Sequence, residues 1–104
     1  MMMSPIIVSR HPGAIAWLRA NYPSLAQAEI QESVGPAQVA GRIIIGNLPL
    51  HLAAQCSEYI AIEFSGPPPR GTEYGVAEMA AAGAKLTRYE VRPLDLPKWL
   101  CPSD

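Results

Sequence analysis

Charge is scarce in this sequence. Of its 104 residues only 16% are Asp, Glu, Lys or Arg, and the net charge is −1. Without a global positive field, a protein has no electrostatic hold on duplex DNA or an anionic membrane. Any polyanion would have to bind at a local site made of a few Arg residues and backbone N–H groups. Long apolar runs are missing too: none approaches the roughly 18 residues needed to span a bilayer. The start, MMMSPIIV, has neither the basic stretch nor the long apolar stretch of a signal peptide. A soluble, cytoplasmic protein with no membrane partner is expected.

Metal and cofactor signals are equally sparse. The two cysteines, Cys56 and Cys101, stand at no metal-ligand or redox spacing, and each reads as a free thiol in a reducing compartment. The two histidines, His11 and His51, share no cluster with Cys or carboxylates. No GxGxxG follows the first apolar run, and no GxxxxGK[ST] occurs, which argues against dinucleotide and P-loop sites. Neither cysteine is followed by the Arg-bearing loop of a cysteine phosphatase. No metal and no cofactor are expected, and any hydrolytic chemistry should be metal-independent.

What is present is apolar. Hydrophobic residues make up 49% of the chain, enough for one globular domain. So low a charge content fits a surface partly covered by another chain. Residues 5–9 (PIIVS) are a short continuous apolar run, as in a strand buried on both faces. Pro12 suits a first helical position. Ala14, Ile15, Trp17 and Leu18 then give one apolar helical face, which Asn21-Tyr22-Pro23 ends. Residues 24–30 (SLAQAEI) read as a weak edge strand, and 33–42, with Gly35-Pro36 and Gly41, as a loop and tight turn. RIIIG (42–46) is the clearest buried strand. Asn47-Leu48-Pro49 opens a second helix with Leu50, Leu52, Ala53, Ala54 and Cys56 on apolar positions. EYIAIEF (58–64) alternates as a third strand. GPPPRG (66–71) is a stiff loop, a helix over about 75–82 stops at Gly83, and 84–92 alternate as a last strand suited to a sheet edge.

Strands alternating with short helices predict an α/β domain over 1–92, with an irregular, Pro-containing tail over 93–104. The expected sheet is open, mostly parallel and about five-stranded, with helices on both faces. In such sheets ligands bind at the carboxyl ends of the strands, where strand order reverses. Two strand ends stand out: Ser9-Arg10-His11-Pro12-Gly13 and Gly46-Asn47-Leu48-Pro49. Both run into a helix N-terminus, which offers orphan N–H donors to an anion. In a 2-1-3-4-5 strand order the two ends are neighbours. A third loop carries Arg70.

Each of these residues has a plain structural reading beside the functional one. Arg10 is either a solvated turn residue or a phosphate clamp. His11 is either an N-cap-like residue or a general acid or base. Asn47 is a good N-cap in any protein, and Gly46 serves a sharp turn. Arg70 keeps a proline-rich loop soluble. His51 reads as a surface residue and Trp17 as core. Together these residues converge on one rim, which points to a site.

VSRHPGAIAWL (8–18), IIIGNLPLHLAAQC (43–56), Arg70-Gly71 with Glu73, and AEMAAAGAKLTRYEV (77–91) together resemble the small "Csx-sixteen" proteins that accompany type III CRISPR systems. The resemblance spans most of residues 6–92. Its most specific parts are the R-H-P-G-A and G-x-L-P turns. Two positions depart from it: Gly41-Arg42 stands where Gly-Asp is expected, and Asn47 stands where Thr is expected. The resemblance implies a compact Rossmann-like fold related to CARF domains. It also implies a homodimer that binds and cleaves cyclic oligoadenylate, chiefly cyclic tetra-adenylate, as a ring nuclease ending an antiviral signal. Arg10 and His11 would then be catalytic. Ser9, Pro12, Gly13, Gly46, Asn47, Leu48 and Arg70 would bind the ligand. A sponge that holds the cyclic nucleotide without cutting it, and a plain α/β interaction module, are the alternatives.

Overall fold

Three β-branched residues in a row favour extended backbone, and all three residues of β1 (Ile6–Val8) are buried. The computed structural model describes residues 5–66, 75–100 and 102 of the chain. Around β1 it builds one sheet with strand order β2-β1-β3-β4-β5. The other strands are β2 (Glu29–Gln31), β3 (Ile43–Gly46), β4 (Glu58–Phe64) and β5 (Ala84–Tyr89). β1 pairs in parallel with β2 on one side and β3 on the other, and β3 pairs in parallel with β4. β5 closes the far edge, antiparallel to β4. The sheet is thus open and mostly parallel, as expected, and its order reverses at β1.

Helices cover both faces. On one face, Ile7, Ile45 and Ile62 pack against Ala14, Trp17 and Leu18 of α1 (Pro12–Asn21) and Met79 of α4 (Val76–Ala81). Trp17 is core, set edge-on to Tyr22 with ring centroids 5.8 Å apart. On the other face, Ile6, Val8 and Ile44 meet Val39 of α2 (Pro36–Val39) and Leu52 of α3 (Leu50–Ala53). Ala53, Tyr59 and Ala61 extend that layer. Gly83 takes a positive φ of 74° just after α4, as a helix-ending glycine does.

Several boundaries differ from the sequence reading, each for a local reason. Residues 24–30 are not one strand: Pro23–Leu25 forms a 3-10 turn, and its Leu25 is buried. The predicted loop over 33–42 contains α2. There the Gln38 side chain accepts the Gly35 N–H at 2.7 Å, while fully buried Val39 draws the turn onto the sheet. A four-residue helix is too short to show periodicity in sequence. α3 is equally short, with Pro49 as its N-cap, and Leu50 points outward at 74% exposure. β5 stops at Tyr89 rather than 92, because Tyr89 lies opposite Tyr59 and β4 begins only one residue earlier. Val91 still packs on the Ala53–Tyr59–Ala61 layer.

Beyond it the chain is irregular. Leu94, Leu96, Trp99 and Leu100 are exposed. The radius of gyration is 15.9 Å, against about 13 Å for a packed domain of this length. Among the described residues no helix is long and apolar enough to cross a membrane. Cys56 is a free thiol; burial pushes its pKa up, and its Sγ donates to the Ala53 carbonyl at 3.0 Å.

Two predictions follow from the sheet. Gly46 has φ +142°, and a Cβ there would lie 2.2 Å from the Val8 carbonyl oxygen. Gly46→Ala should therefore destabilise the fold by at least about 2 kcal/mol, combining backbone strain with a clash. A thermal melt should show Tm falling by roughly 10 °C or more; an unchanged Tm would contradict this. On β4 and β5, the Tyr89 hydroxyl and then the Thr87 hydroxyl donate to the Glu63 carboxylate, and nearby Lys85 adds charge attraction. Together they hold the Glu63 pKa below its ordinary value. Glu63 thus adds stability above the usual carboxylate range and loses it as pH falls through the lowered value. Tyr89→Phe should move the carboxyl titration of Glu63, followed by carbon-13 NMR, up towards the ordinary range. An unmoved titration would show that the hydroxyl does not set it.

Candidate functional site

The site begins with a short polar turn at the end of a buried strand. β1 leaves the sheet at Val8, and the Ser9 N–H donates to the Gln31 carbonyl at 3.0 Å, extending the β1–β2 ladder by one bond. The Ser9 Oγ accepts the His11 N–H at 3.1 Å, which tightens the turn. His11 is the N-cap of α1 and has extended backbone. Its carbonyl accepts the N–H groups of Ala14 and Ile15. Pro12 has no N–H to place, and the Gly13 N–H has no acceptor among the described residues. Arg10 and His11 are therefore exposed at the mouth of a ten-residue helix, at the carboxyl end of β1.

β3 brings the second turn alongside. Val8 is in register with Gly46, so Asn47 emerges beside Ser9. The missing Cβ of Gly46 permits this approach. On the opposite face, the Leu48 N–H donates to the hydroxyl of buried Tyr59 at 2.9 Å, which fixes the turn from behind. The helix after this turn, α3, has a single turn, so only α1 offers an N-terminus with an appreciable dipole.

Two adjoining cavities open at this rim. The central one, about 270 Å³, is lined by Ser9, Arg10, His11, Glu32, Gly46 and Asn47 over a floor that includes Ile62, Phe64 and Met79. The lateral one, about 490 Å³, lies over β1 and β2 beside α1 and is lined by Ser9, Arg10, Pro12, Arg19 and Glu32 with Ile15 and Ile30. Arg10 belongs to both. Arg10 and Arg19 make no hydrogen bond or ion pair with any described residue. An unpaired guanidinium at the helix mouth, Arg10, with a second along the lateral cavity, Arg19, suits an oxyanion or phosphate.

Of the residues singled out in sequence, Ser9, Arg10, His11, Gly46 and Asn47 come together in the central cavity, and Pro12 joins the lateral one. Gly13 and Leu48 line neither. Leu48 packs with the layer on the other side of the sheet. Arg70, Gly71, Glu73 and Cys101 lie outside the described residues. His51 is exposed on α3, away from both cavities. Among the described residues no three His, Cys, Asp or Glu side chains gather as a metal site. Arg19 and Glu32 were missed in sequence. Glu32 directly follows β2, and the 2-1-3 order that sets β2 beside β1 was the available signal.

Comparison with the curated proteins and with the solved structures gives no match. Residues 6–92, which contain every strand and helix described above, match the model of the family described as "Putative CRISPR-associated protein (Cas_VVA1548)". The chain with this two-cavity rim belongs to that CRISPR-associated family.

Proposed function

We propose that this protein is a metal-independent ring nuclease that binds cyclic oligoadenylate, chiefly cyclic tetra-adenylate, at the carboxyl ends of β1 and β3 and cleaves it. One observation carries the reading. The fold places Ser9-Arg10-His11 and Gly46-Asn47 in one cavity at the point where strand order reverses. Membership of a CRISPR-associated family supports the same biological setting.

The chemistry is that of RNA. The ribose 2′-OH attacks the adjacent phosphorus in line, the bond to the 5′ oxygen breaks, and the products carry a 2′,3′-cyclic phosphate and a 5′-OH. Holding the attacking oxygen in line supplies much of the rate. Arg10 stabilises charge on the phosphoryl oxygens. His11 acts in proton transfer. Ser9, Gly46 and Asn47 hold phosphate or ribose. Each cavity is nucleotide-sized, so a four-membered ring needs two copies of the rim. A homodimer supplies them about one two-fold axis. The exposed row Leu94, Leu96 and Trp99 supports a surface that a second copy covers.

The test is to incubate purified protein with cyclic tetra-adenylate in EDTA and resolve the mixture by chromatography. Linear products ending in 2′,3′-cyclic phosphate are expected. Retention without products would make the protein a sponge, no retention an interaction module, and an absolute need for divalent metal would overturn the mechanism. Arg10→Ala should slow turnover on the order of 10²–10³-fold, the usual loss for one oxyanion donor. Full activity in Arg10→Ala or in His11→Ala would remove that residue from the reaction.

A further inference from the structure

Among the described residues, five of the seven carboxylates are engaged elsewhere. Glu29 accepts from Gln31, Glu58 pairs with Arg88, and Glu63 accepts from Thr87 and Tyr89. Glu78 caps the Gly75 N–H, and Glu90 pairs with Arg92. Among the described residues only Glu32 and Asp95 make no hydrogen bond or ion pair, and Asp95 lies in the irregular tail. Glu32 instead faces both cavities, where it is the sole described carboxylate.

Its placement relative to Arg10 and His11 is specific. Glu32 emerges from β2 and lines the lateral and the central cavity. His11 lines the central cavity alone, and Arg10 lines both. All three groups therefore border the central cavity, and Glu32 and Arg10 border the lateral one as well. In-line displacement at phosphorus needs a proton acceptor on the entering side and a proton donor on the leaving side. The central cavity that Arg10 lines offers one candidate for each role, the Glu32 carboxylate and the His11 imidazole.

We propose that Glu32 is the general base of ring cleavage and His11 its general acid, an assignment that rests on the ring-nuclease reading above. The Glu32 carboxylate takes the proton of the ribose 2′-OH. The 2′ oxygen forms its bond to phosphorus as the bond from phosphorus to the 5′ oxygen breaks. The His11 imidazolium gives its proton to the departing 5′ oxygen. Atoms and charge balance with no water, metal or redox partner, and solvent exchange returns both groups to their starting forms. The charged and titratable groups lining this space are Arg10 and His11 from the turn, Arg19 from α1 and Glu32 itself. β3, β4 and α4 contribute none.

The experiment is a single-turnover pH–rate profile with cyclic tetra-adenylate, on wild type, Glu32→Gln and Glu32→Asp, with binding measured in parallel. Wild type should give a bell, its acid limb from protonation of Glu32 and its alkaline limb from deprotonation of His11. Glu32→Gln should lose on the order of 10²–10⁴-fold in rate, lose the acid limb, and still bind the ligand. Glu32→Asp should recover part of the rate together with that limb. A Glu32→Gln protein that is slow but keeps the acid limb would make Glu32 a positioning group for Arg10 and overturn the assignment. One with wild-type rate would remove Glu32 from the reaction. Absence of cleavage by wild type would instead overturn the ring-nuclease reading itself.

Discussion

The backbone of β3 lies against the Val8 carbonyl at the point where both strands leave the sheet, and the site depends on that approach. Gly46 allows it, because any side chain there would overlap the oxygen. With the two strand ends side by side, the polar turn after β1 and the turn after β3 share one cavity. β1 lies between β2 and β3, where reversal of strand order leaves a crevice. From behind, buried Tyr59 holds the Leu48 N–H, so the turn after β3 is braced on both faces.

Economy of charge gives the crevice its character. With so few ionisable side chains, how each is partnered matters. Glu58 with Arg88, and Glu90 with Arg92, form exposed ion pairs near the opposite end of the sheet. Such pairs contribute little stability, but they leave those groups neutralised locally. Arg10, Arg19 and Glu32 are left unpaired around the cavities. Of the two guanidinium groups, Arg10 stands at the mouth of α1 and Arg19 lines the lateral cavity further along that helix. An anion with several phosphates would find there a guanidinium shared between two cavities.

Much of this was legible in the sequence. The apolar runs IIV and IIIG identified the central strands, because both faces of a central parallel strand are covered. Arg10, His11 and Asn47 could be placed at strand ends once the alternation of strands and helices was read. The short pieces escaped. α2 and the 3-10 turn are each a single turn, shaped by Val39 and Leu25 seeking the core rather than by any repeating pattern. The resemblance implies a ligand-binding role for Leu48, whose side chain packs in the layer on the other side of the sheet. Glu32 was invisible for the opposite reason. Nothing local marks it, and only the pairing of β2 with β1 carries it to the rim.

The central claim is that the carboxyl ends of β1, β2 and β3 form one binding site for a cyclic oligoadenylate. Amide shift mapping tests it most directly, by titrating cyclic tetra-adenylate into nitrogen-15-labelled His11→Ala protein so that the ligand stays intact. The account predicts that the largest shifts fall on Ser9, Arg10, Glu32, Gly46 and Asn47. Shifts centred instead on the cavity lined by Ser57, Glu58, Arg88, Tyr89 and Glu90, or no shifts at all, would contradict it.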